Sequence, residues 1–375
     1  MKKVYKYPTV HCVKGYARSV IQDLSKYTYY FAPNTLAEVL KSLEGKTINE
    51  CLIKHPIAHH ETIKEYVDFL VDNQFVYLSE QHISFDHSSS VFDYPAVISN
   101  AIIVLEDIDI AKLQKWIFDL EILGCENIQI YCKKKLLLQD VSGILSVFEN
   151  TRILNLEILL NFTDYLLDKN TVNLLFDQQT RLFKIVVYNS PDSNINFIDV
   201  FKQKSIIYNK ATINYLDCGF VHPVAFRKNA DFFNESKTYN NCLNKKLCID
   251  FDGNIKNCPA MQQSFGNIKD TSLQDAIKKN GFKNLWCIHK DQIEVCKDCE
   301  FRYMCTDCRC FIKTPENIYS QPAKCTYNPY ICKWEGQGGY IPVEKCGIYS
   351  NKTGFIPDEA KIAEFNTQIW AENDA

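Results

Sequence analysis

Five cysteines stand within fifteen residues in the segment CKDCEFRYMCTDCRC, residues 296–310, with the spacing C-x2-C-x5-C-x2-C-x-C. Two thiolates separated by two residues can grip one metal centre from a single turn of the chain, as they do in zinc sites and in iron–sulfur proteins. The segment therefore predicts a metal centre.

The 17 cysteines of this 375-residue chain are unevenly distributed. Residues 1–241 carry five, residues 242–332 carry eleven, and Cys346 lies in the tail. Small buried thiols explain scattered cysteines well. They do not explain eleven in one short segment, so the distribution favours metal or cluster ligation.

Three further cysteines precede the dense segment with the spacing Cys242-x5-Cys248-x9-Cys258. In CIDFDGNIKNCP, Asp252-Gly253 predicts a tight turn between two short strands, which brings the flanking cysteines to one end of a hairpin. Eight cysteines then suit two four-thiolate centres. Zinc and iron–sulfur clusters both accept four thiolates, so the spacing alone leaves both open.

Composition describes an ordinary globular protein, with 46% hydrophobic and 23% charged residues. The net charge of −3 offers no general attraction to nucleic acid or anionic membranes. The N-terminus lacks the apolar region of a secretory signal, and no run of eighteen apolar residues occurs, so we expect no membrane span. We expect a cytoplasmic protein with reduced thiols and no disulfide framework.

The first 90 residues predict a small domain. VIQDL and KYTYYFAP read as a hairpin, Asn34 is placed to cap a helix, a second helix starts near Glu61, and FVYL is a short strand. HISFDHSSS loses periodicity and indicates a linker.

Residues 97–220 alternate between apolar strands and amphipathic helices. The strands are AIIVL, IQIYC, LNLEILL and LFKIVVY, and INYLDCGF is predicted to add one more. This alternation predicts βα units with a parallel sheet, and the segment is too short for a full eight-unit barrel. Cys218 in DCGF could be a nucleophile near His222, but a buried or strand-end thiol is the favoured interpretation.

The rest of the chain does not show this alternation of strands and helices. Residues 221–334 hold most of the cysteines, and SFGNIKDTSLQDAI within them predicts a helix capped by Ser272. The tail, residues 335–375, ends in a predicted helix from Pro357, whose apolar face carries Ile362, Phe365 and Ile369.

The cysteine order C-x10-G-x4-C, then C-x2-C-x5-C-x2-C, then a single C, resembles the SPASM domain of radical SAM peptide-modifying enzymes. The resemblance implies two auxiliary [4Fe–4S] clusters. It assigns Cys242, Cys258 and Cys308 to the first, with Cys248 as a fourth ligand, and Cys296, Cys299, Cys305 and Cys325 to the second. The family has x3 where this chain has x2, so Cys308 and Cys310 compete for one role, and Cys308 is preferred. Cys287, Cys310 and Cys332 are interpreted as spare or packing thiols.

A radical SAM enzyme needs a C-x3-C-x2-C triplet after its first barrel strand, and this sequence contains none. AIIVL is followed by EDIDIAKL, without a cysteine. The resemblance therefore implies an α/β fold with a partial radical-SAM-type βα barrel that has lost its SAM-cleaving cluster. No P-loop or dinucleotide-binding glycine motif is present either.

The hairpin, helices and strand of residues 1–85 resemble the winged-helix element that binds the leader of a ribosomally made precursor peptide as an added edge strand. The complete order resembles the SPASM maturases of grasp-with-spasm systems, whose partner is an ATP-grasp ligase. Three hypotheses remain open: a cluster-bearing protein that presents the precursor to the ligase, a redox enzyme with an open cluster iron, and a zinc-stabilised adaptor.

Overall fold

The structure, a computed structural model, describes residues 1–85, 91–199, 203–214, 217–350 and 354–371. The chain divides into two compact units. The first contains Met1–Phe92, Gly219–Asn241 and Ile288–Ala375, and the second contains Asp93–Cys218 and Cys242–Cys287. The cysteine-rich region therefore contributes to both units.

The N-terminal part of the first unit combines five strands and three helices. They are β1 (Lys3–Lys6), β2 (Val10–Lys14), β3 (Ser19–Asp23), β4 (Thr28–Ala32), α1 (Asn34–Leu43), α2 (Ile48–Leu52), α3 (His60–Asp72) and β5 (Val76–Ser79). Strands β2, β3 and β4 form an antiparallel sheet in that order, and β1 pairs with β5. The predicted hairpin, both predicted helices and the FVYL strand are confirmed. Of the predicted linker, residues 86–90 lie outside the described residues.

The predicted capping role of Asn34 is wrong. Pro33 occupies the cap position of α1, and no side chain caps that helix. The Asn34 amide instead donates to the carbonyl oxygens of Gly15 and Tyr16, at 3.2 and 2.9 Å, and its side-chain oxygen accepts from the Ser19 hydroxyl. The Asn34 side chain therefore closes the turn between β2 and β3. These hydrogen bonds occupy the same polar atoms that a helix cap would need.

The second unit is built on alternating strands and helices. They are β6 (Asn100–Leu105), α4 (Ile110–Ile122), β7 (Asn127–Cys132), α5 (Leu138–Ser146), β8 (Asn155–Asn161), α6 (Lys169–Gln178), β9 (Leu182–Tyr188), β10 (Asn194–Asp199) and β11 (Lys204–Asn209). The four predicted strands and the predicted α4 are confirmed, and Gly124 with φ of +80° follows that helix. The predicted strand INYLDCGF is wrong for residues 213–214 and 217–220, which are irregular, and residues 215–216 lie outside the described residues.

The next segment contributes to both units. Helix α7 (Ala230–Ser236) belongs to the first unit, and β12 (Lys246–Ile249), β13 (Ile255–Lys256) and α8 (Leu273–Lys278) belong to the second. The predicted hairpin is confirmed by the β12–β13 pair, with Gly253 at φ of +85° in its turn. Ser272 caps α8 as predicted, since its hydroxyl accepts from the Asp275 amide.

The complete sheet of the second unit has eight strands in the order β10-β11-β9-β8-β7-β6-β12-β13. Its six central strands are parallel, and β10 and β13 are antiparallel at the two edges. The fold class is therefore α/β with a mostly parallel sheet, as predicted. Because β12 pairs with β6, the first cysteine hairpin is an extension of this sheet.

The C-terminal part returns to the first unit with β14 (Tyr327–Asn328), β15 (Lys333–Trp334), β16 (Gly347–Ser350), β17 (Gly354–Pro357) and α9 (Glu359–Ala371). Ile362 and Ile369 of α9 are buried with Phe365 beside them, in a cluster that includes Tyr330 and Phe355, which confirms the predicted docking face. Within the described ranges, no helix has both the length and the apolarity needed to cross a membrane.

One partly buried histidine gives the first unit a predicted pH dependence. The His11 ring stacks on Phe233 of α7 with ring centroids 4.3 Å apart. Burial, followed by the charges of Lys6 and Lys237, lowers the pKa of His11 from 6.5 to about 4, while Asp23 acts in the opposite direction. Between these two values the unfolded chain binds a proton that the folded chain does not, so stability falls as the pH falls through this range.

We therefore expect the melting temperature to drop between about pH 7 and about pH 4.5, and to drop less in a His11→Gln variant. Thermal unfolding followed by circular dichroism at both pH values measures the difference. An equal drop in the two proteins would contradict the assignment to His11.

Candidate metal centres

The second predicted ligand group lies on three short turns of the first unit. Cys296 begins a 3₁₀ turn (Cys296–Asp298), and the Cys299 amide donates to its carbonyl oxygen at 3.0 Å. The Cys305 amide closes a further turn by donating to the Phe301 carbonyl at 3.0 Å, and Cys325 precedes β14. The x2 and x5 spacings therefore correspond to consecutive turns rather than to a regular helix.

All four of these cysteines line one cavity within the first unit. Most of the remaining wall is apolar or aromatic and includes Val221, Phe226, Phe301, Pro322, Tyr327 and Trp334. Four thiols around one largely apolar cavity fit the requirements of a thiolate-bound cluster, which is shielded from water by its surroundings. The resemblance assigned Cys325 to the same ligand group as the cysteines of residues 296–305. The position of Cys325 on this cavity wall is consistent with that assignment.

Burial makes three of these thiols harder to deprotonate. Burial raises the pKa of the Cys296 thiol to about 12, and it also raises the pKa values of Cys299 and Cys305. Buried thiols stay protonated unless a metal replaces the proton, so loading of the site releases protons. The Phe301 amide donates to the Cys299 sulfur at 3.4 Å, an N–H contact that would stabilise a thiolate there.

A buried lysine lies on the cavity wall with these thiols. Lys290 is 3% exposed, and its ammonium donates to the Cys305 sulfur at 3.6 Å. Burial alone would lower the pKa of Lys290, but the sulfurs of Cys296 and Cys305 and the carboxylate of Asp307 raise it above its usual value. Sequence reasoning missed Lys290 because nothing in CIHKDQ distinguishes a buried lysine from an exposed one.

The chain enters the first cysteine turn through a strained residue. Val295 has φ of +65°, in the left-handed region that β-branched residues avoid. Its side chain is 2% exposed and packs in the cluster that contains Tyr330 and Phe355. Strain of this kind costs about 1–3 kcal/mol and persists only where packing enforces it. The backbone before Cys296 is therefore fixed by the apolar core beneath it.

The turn between β2 and β3 packs on the same cysteine turn. The Tyr16 amide donates to the Asp298 carbonyl at 2.7 Å, and Arg18 forms an ion pair with Glu300 at 2.7 Å. The Glu300 side chain is fully buried, and its other oxygen has no hydrogen-bond partner among the described residues. The Tyr327 hydroxyl donates to Glu300 at 2.5 Å. The N-terminal hairpin is thereby anchored next to Cys299.

The first predicted ligand group lies partly in the second unit. Cys248 is in β12, fully buried beside Val104 and Tyr131, and burial together with Cys258 raises its pKa well above the usual value. The Lys246 ammonium lies 3.9 Å from the Cys242 sulfur. The hairpin thus places Cys248 and Cys258 within electrostatic reach of each other, as predicted.

A second cavity lies on one face of the sheet in this unit. Cys242 and Cys258 line it with Cys218, against Ile102 and Tyr131 of β6 and β7. Cys248 is not part of its wall. Cys218 is exposed and is not at the end of a strand, so the favoured interpretation of that thiol is wrong. No spacing signal links Cys218 to Cys242, because 23 residues separate them.

Cys308 belongs to the first unit, where it is buried. Gly219, with φ of +82°, approaches it so closely that a Cβ there would lie 2.9 Å from the Cys308 sulfur. The side chain of the next residue, Arg309, is also buried and donates to Asp307 at 2.6 Å and to the Ser320 carbonyl at 2.8 Å. The hydrogen bonds of Arg309 therefore hold the segment after Cys308 in place.

Two further thiols of the cysteine-rich region and Cys346 of the tail occupy packing or surface positions. Cys287 is exposed, and Cys332 is partly buried with its pKa raised to about 11 by burial. Cys346 is buried and its sulfur accepts from the Asn328 amide at 3.2 Å. Among the described residues, no three His, Cys, Asp or Glu side chains converge closely enough to hold one metal ion.

The loop after β6 carries carboxylates where a radical SAM enzyme has its cysteine triplet. Glu106 pairs with Lys133 at 3.8 Å, and Asp107 pairs with Lys134. The Asp109 side chain caps α4 by accepting from the Lys112 amide at 3.0 Å. Surface ion pairs and a helix cap account for these three acids, so the loop presents no thiol at this end of the sheet.

Comparison with known proteins identifies one domain. Residues 241–300 match the family model of SPASM, an iron–sulfur cluster-binding domain. This match confirms the predicted SPASM domain and its capacity for iron–sulfur binding. Among curated proteins, no sequence relative is found.

Solved structures of one bacterial protein resemble most of the chain at low sequence identity. SuiB of Streptococcus suis bound to S-adenosylmethionine is 10% identical over 86% of this chain and 99% of that chain, with a TM-score of 0.34. SuiB bound to the precursor peptide SuiA is 8% identical over the same shares, with a TM-score of 0.28.

Proposed function

We propose that this chain is an iron–sulfur protein of peptide maturation, which binds a ribosomally made precursor and acts with an ATP-grasp ligase. The observation that carries the proposal is the cavity lined by Cys296, Cys299, Cys305 and Cys325. The first two of these cysteines lie within the segment that matches an iron–sulfur cluster-binding domain. The peptide and the ligase come from the resemblance of the sequence to grasp-with-spasm maturases.

Two [4Fe–4S] clusters are part of the proposal. The second takes the four cysteines of the cavity in the first unit. The first takes Cys242 and Cys258, and the resemblance adds Cys308 and Cys248. When bound, such clusters supply one-electron redox chemistry or, at an iron that lacks a cysteine, a position for a ligand. The residues of the chain provide the thiolates, exclude water with aromatic walls and fix the turns.

Strand β4 is the proposed docking edge for the precursor. It is the last strand of its sheet, and the structure assigns no further backbone partner to it among the described residues. Tyr30 and Phe31 of β4 are 44% and 49% exposed, and Tyr30 lies beside Phe69 of α3 with ring centroids 6.2 Å apart. An added peptide strand would gain main-chain hydrogen bonds from the edge and apolar contacts from these rings.

A Tyr30→Asp variant is expected to weaken precursor binding at least about tenfold, because it places a charge in the apolar surface beside the edge. Leu78→Asp on β5 is the matched control, since Leu78 is also exposed and apolar in the same part of the chain. Fluorescence anisotropy with labelled candidate peptides encoded beside the gene measures both. Equal affinities of the two variants and the wild type would contradict docking at β4.

The role beside the ligase is tested by mass spectrometry of the precursor. The proposal predicts no mass change when the peptide is incubated with the cluster-loaded chain alone. It predicts that the ligase modifies the peptide faster when the chain is present. A ligase rate that does not depend on the chain would contradict the partnership.

A redox enzyme is the second candidate function, and one observation favours it. Cys248 does not line the cavity that contains Cys242 and Cys258, so the first cluster could lack its fourth cysteine. An iron without that ligand could bind a group of the peptide. This candidate predicts a change in peptide mass with the chain and a reductant or oxidant alone, and iron content unaffected by Cys248→Ala.

A further inference from the structure

Lys290 is a buried cation without a carboxylate partner. Its side chain is nearly inaccessible, and among the described residues its ammonium makes no ion pair with an acid. The acid closest in electrostatic effect, Asp307, is already bound by Arg309 and by Asn240 at 2.7 Å. Burying a charge costs free energy of folding unless an opposite charge lies close to it. An anion bound in the cavity would supply that opposite charge for Lys290.

The other cation on the cavity wall is already neutralised. Arg302 donates to Asp291 at 2.8 Å and to the carbonyl oxygens of Lys14 and Cys299. Lys290 by contrast has three N–H groups, and Cys305 is the one hydrogen-bond partner that the described part of the chain gives it. Two donors thus remain available to an occupant of the cavity.

Another polar side chain of the same wall has one buried atom without a hydrogen-bond partner among the described residues. Gln321 is 1% exposed and lines the cavity, and its Oε1 has no hydrogen-bond partner among the described residues. Which end of an amide carries the oxygen is assigned from its partners, and half a turn would place the NH2 group in that position. Lys290 and Gln321 each therefore have a group that can donate a hydrogen bond to an occupant of the cavity that they both line.

We propose that Lys290 is the counter-ion of the cluster bound by Cys296, Cys299, Cys305 and Cys325, and that it raises the reduction potential of that cluster. A [4Fe–4S] core with four thiolates is dianionic when oxidised and trianionic after it gains one electron. A fixed ammonium stabilises the more negative state more strongly, and hydrogen bonds to the sulfurs act in the same direction. This inference depends on the proposed iron–sulfur function.

The test uses the full chain with Cys242→Ala and Cys258→Ala, so that only the second cluster contributes. Three variants are compared in this background: Lys290→Met, which removes the charge at similar length, Lys290→Arg, which keeps it, and Lys345→Met, which removes an exposed charge. Iron and sulfide per chain are counted first. The midpoint potential is then measured by anaerobic redox titration with electron paramagnetic resonance.

We expect Lys290→Met to disfavour reduction at least tenfold, which corresponds to about 59 mV for one electron. Lys290→Arg and Lys345→Met should stay close to the background. Loss of the cluster from Lys290→Met, with retention in Lys290→Arg, would also support the counter-ion role. Loss from both, or an unchanged potential in Lys290→Met, would overturn it. Absence of iron from the wild-type chain would overturn the proposed function as well, which separates the two failures.

Discussion

A chain with Cys299→Ala and Cys325→Ala is expected to lose about half of its bound iron and sulfide, roughly four atoms of each. Both cysteines line the cavity of the first unit. Two missing thiolates leave a [4Fe–4S] cluster with half of its protein ligands. The cluster of Cys242 and Cys258 should stay intact, so the loss should stop near one half.

The matched control is Cys287→Ala with Cys332→Ala. These two thiols lie in the same cysteine-rich region, but neither lines the cavity. Iron content close to that of the wild type is expected for this pair. Similar losses from both double variants would contradict the ligand assignment, because they would indicate that any two thiols of the region contribute equally.

Removal of the Arg18 charge is expected to cause a large loss of folding stability. Glu300 is fully buried, and Arg18 is its one ion-pair partner among the described residues. An Arg18→Met variant leaves this carboxylate without a counter-ion, which typically costs about 3–5 kcal/mol of the free energy of unfolding. Urea unfolding of the metal-free protein, followed by tryptophan fluorescence, measures the change.

A second variant separates the charge from the packing of Arg18, which also lies over the Phe31 ring at 3.5 Å. Arg18→Met combined with Glu300→Gln removes both charges, and we expect it to recover more than half of the loss. A loss below about 1 kcal/mol in Arg18→Met would contradict the account, since that value is typical of an exposed pair. No recovery in the double variant would assign the effect to packing.

Local patterns were sufficient to predict most of the secondary structure. The alternating strands and helices of residues 97–190 follow from apolar periodicity, and the turn at Asp252-Gly253 follows from turn chemistry. The pairing of β12 with β6 could not be predicted in this way, because it joins strands almost 150 residues apart. The strands β10 and β11 were not predicted, and the strand expected at residues 213–220 does not form in the described part of that segment.

The candidate site was likewise predictable only in part from the sequence. Cysteine spacing was enough to group the four thiols that line the cavity of the first unit. Lys290 and Glu300 were missed, and Cys218 was not grouped with Cys242 and Cys258. The burial of a charge and the sharing of a cavity depend on tertiary packing. Asn34 was misassigned because one side chain can serve a cap or a neighbouring turn, and only the folded chain decides between them.

The central claim is tested most directly by counting iron, sulfide and zinc in the wild-type chain after anaerobic purification and reconstitution. The account predicts about eight irons and about eight sulfides per chain, a brown protein and no stoichiometric zinc. One or two zinc ions per chain, with no sulfide and no colour even after reconstitution, would contradict it. The cysteines would then hold structural zinc, and the chain would be an adaptor.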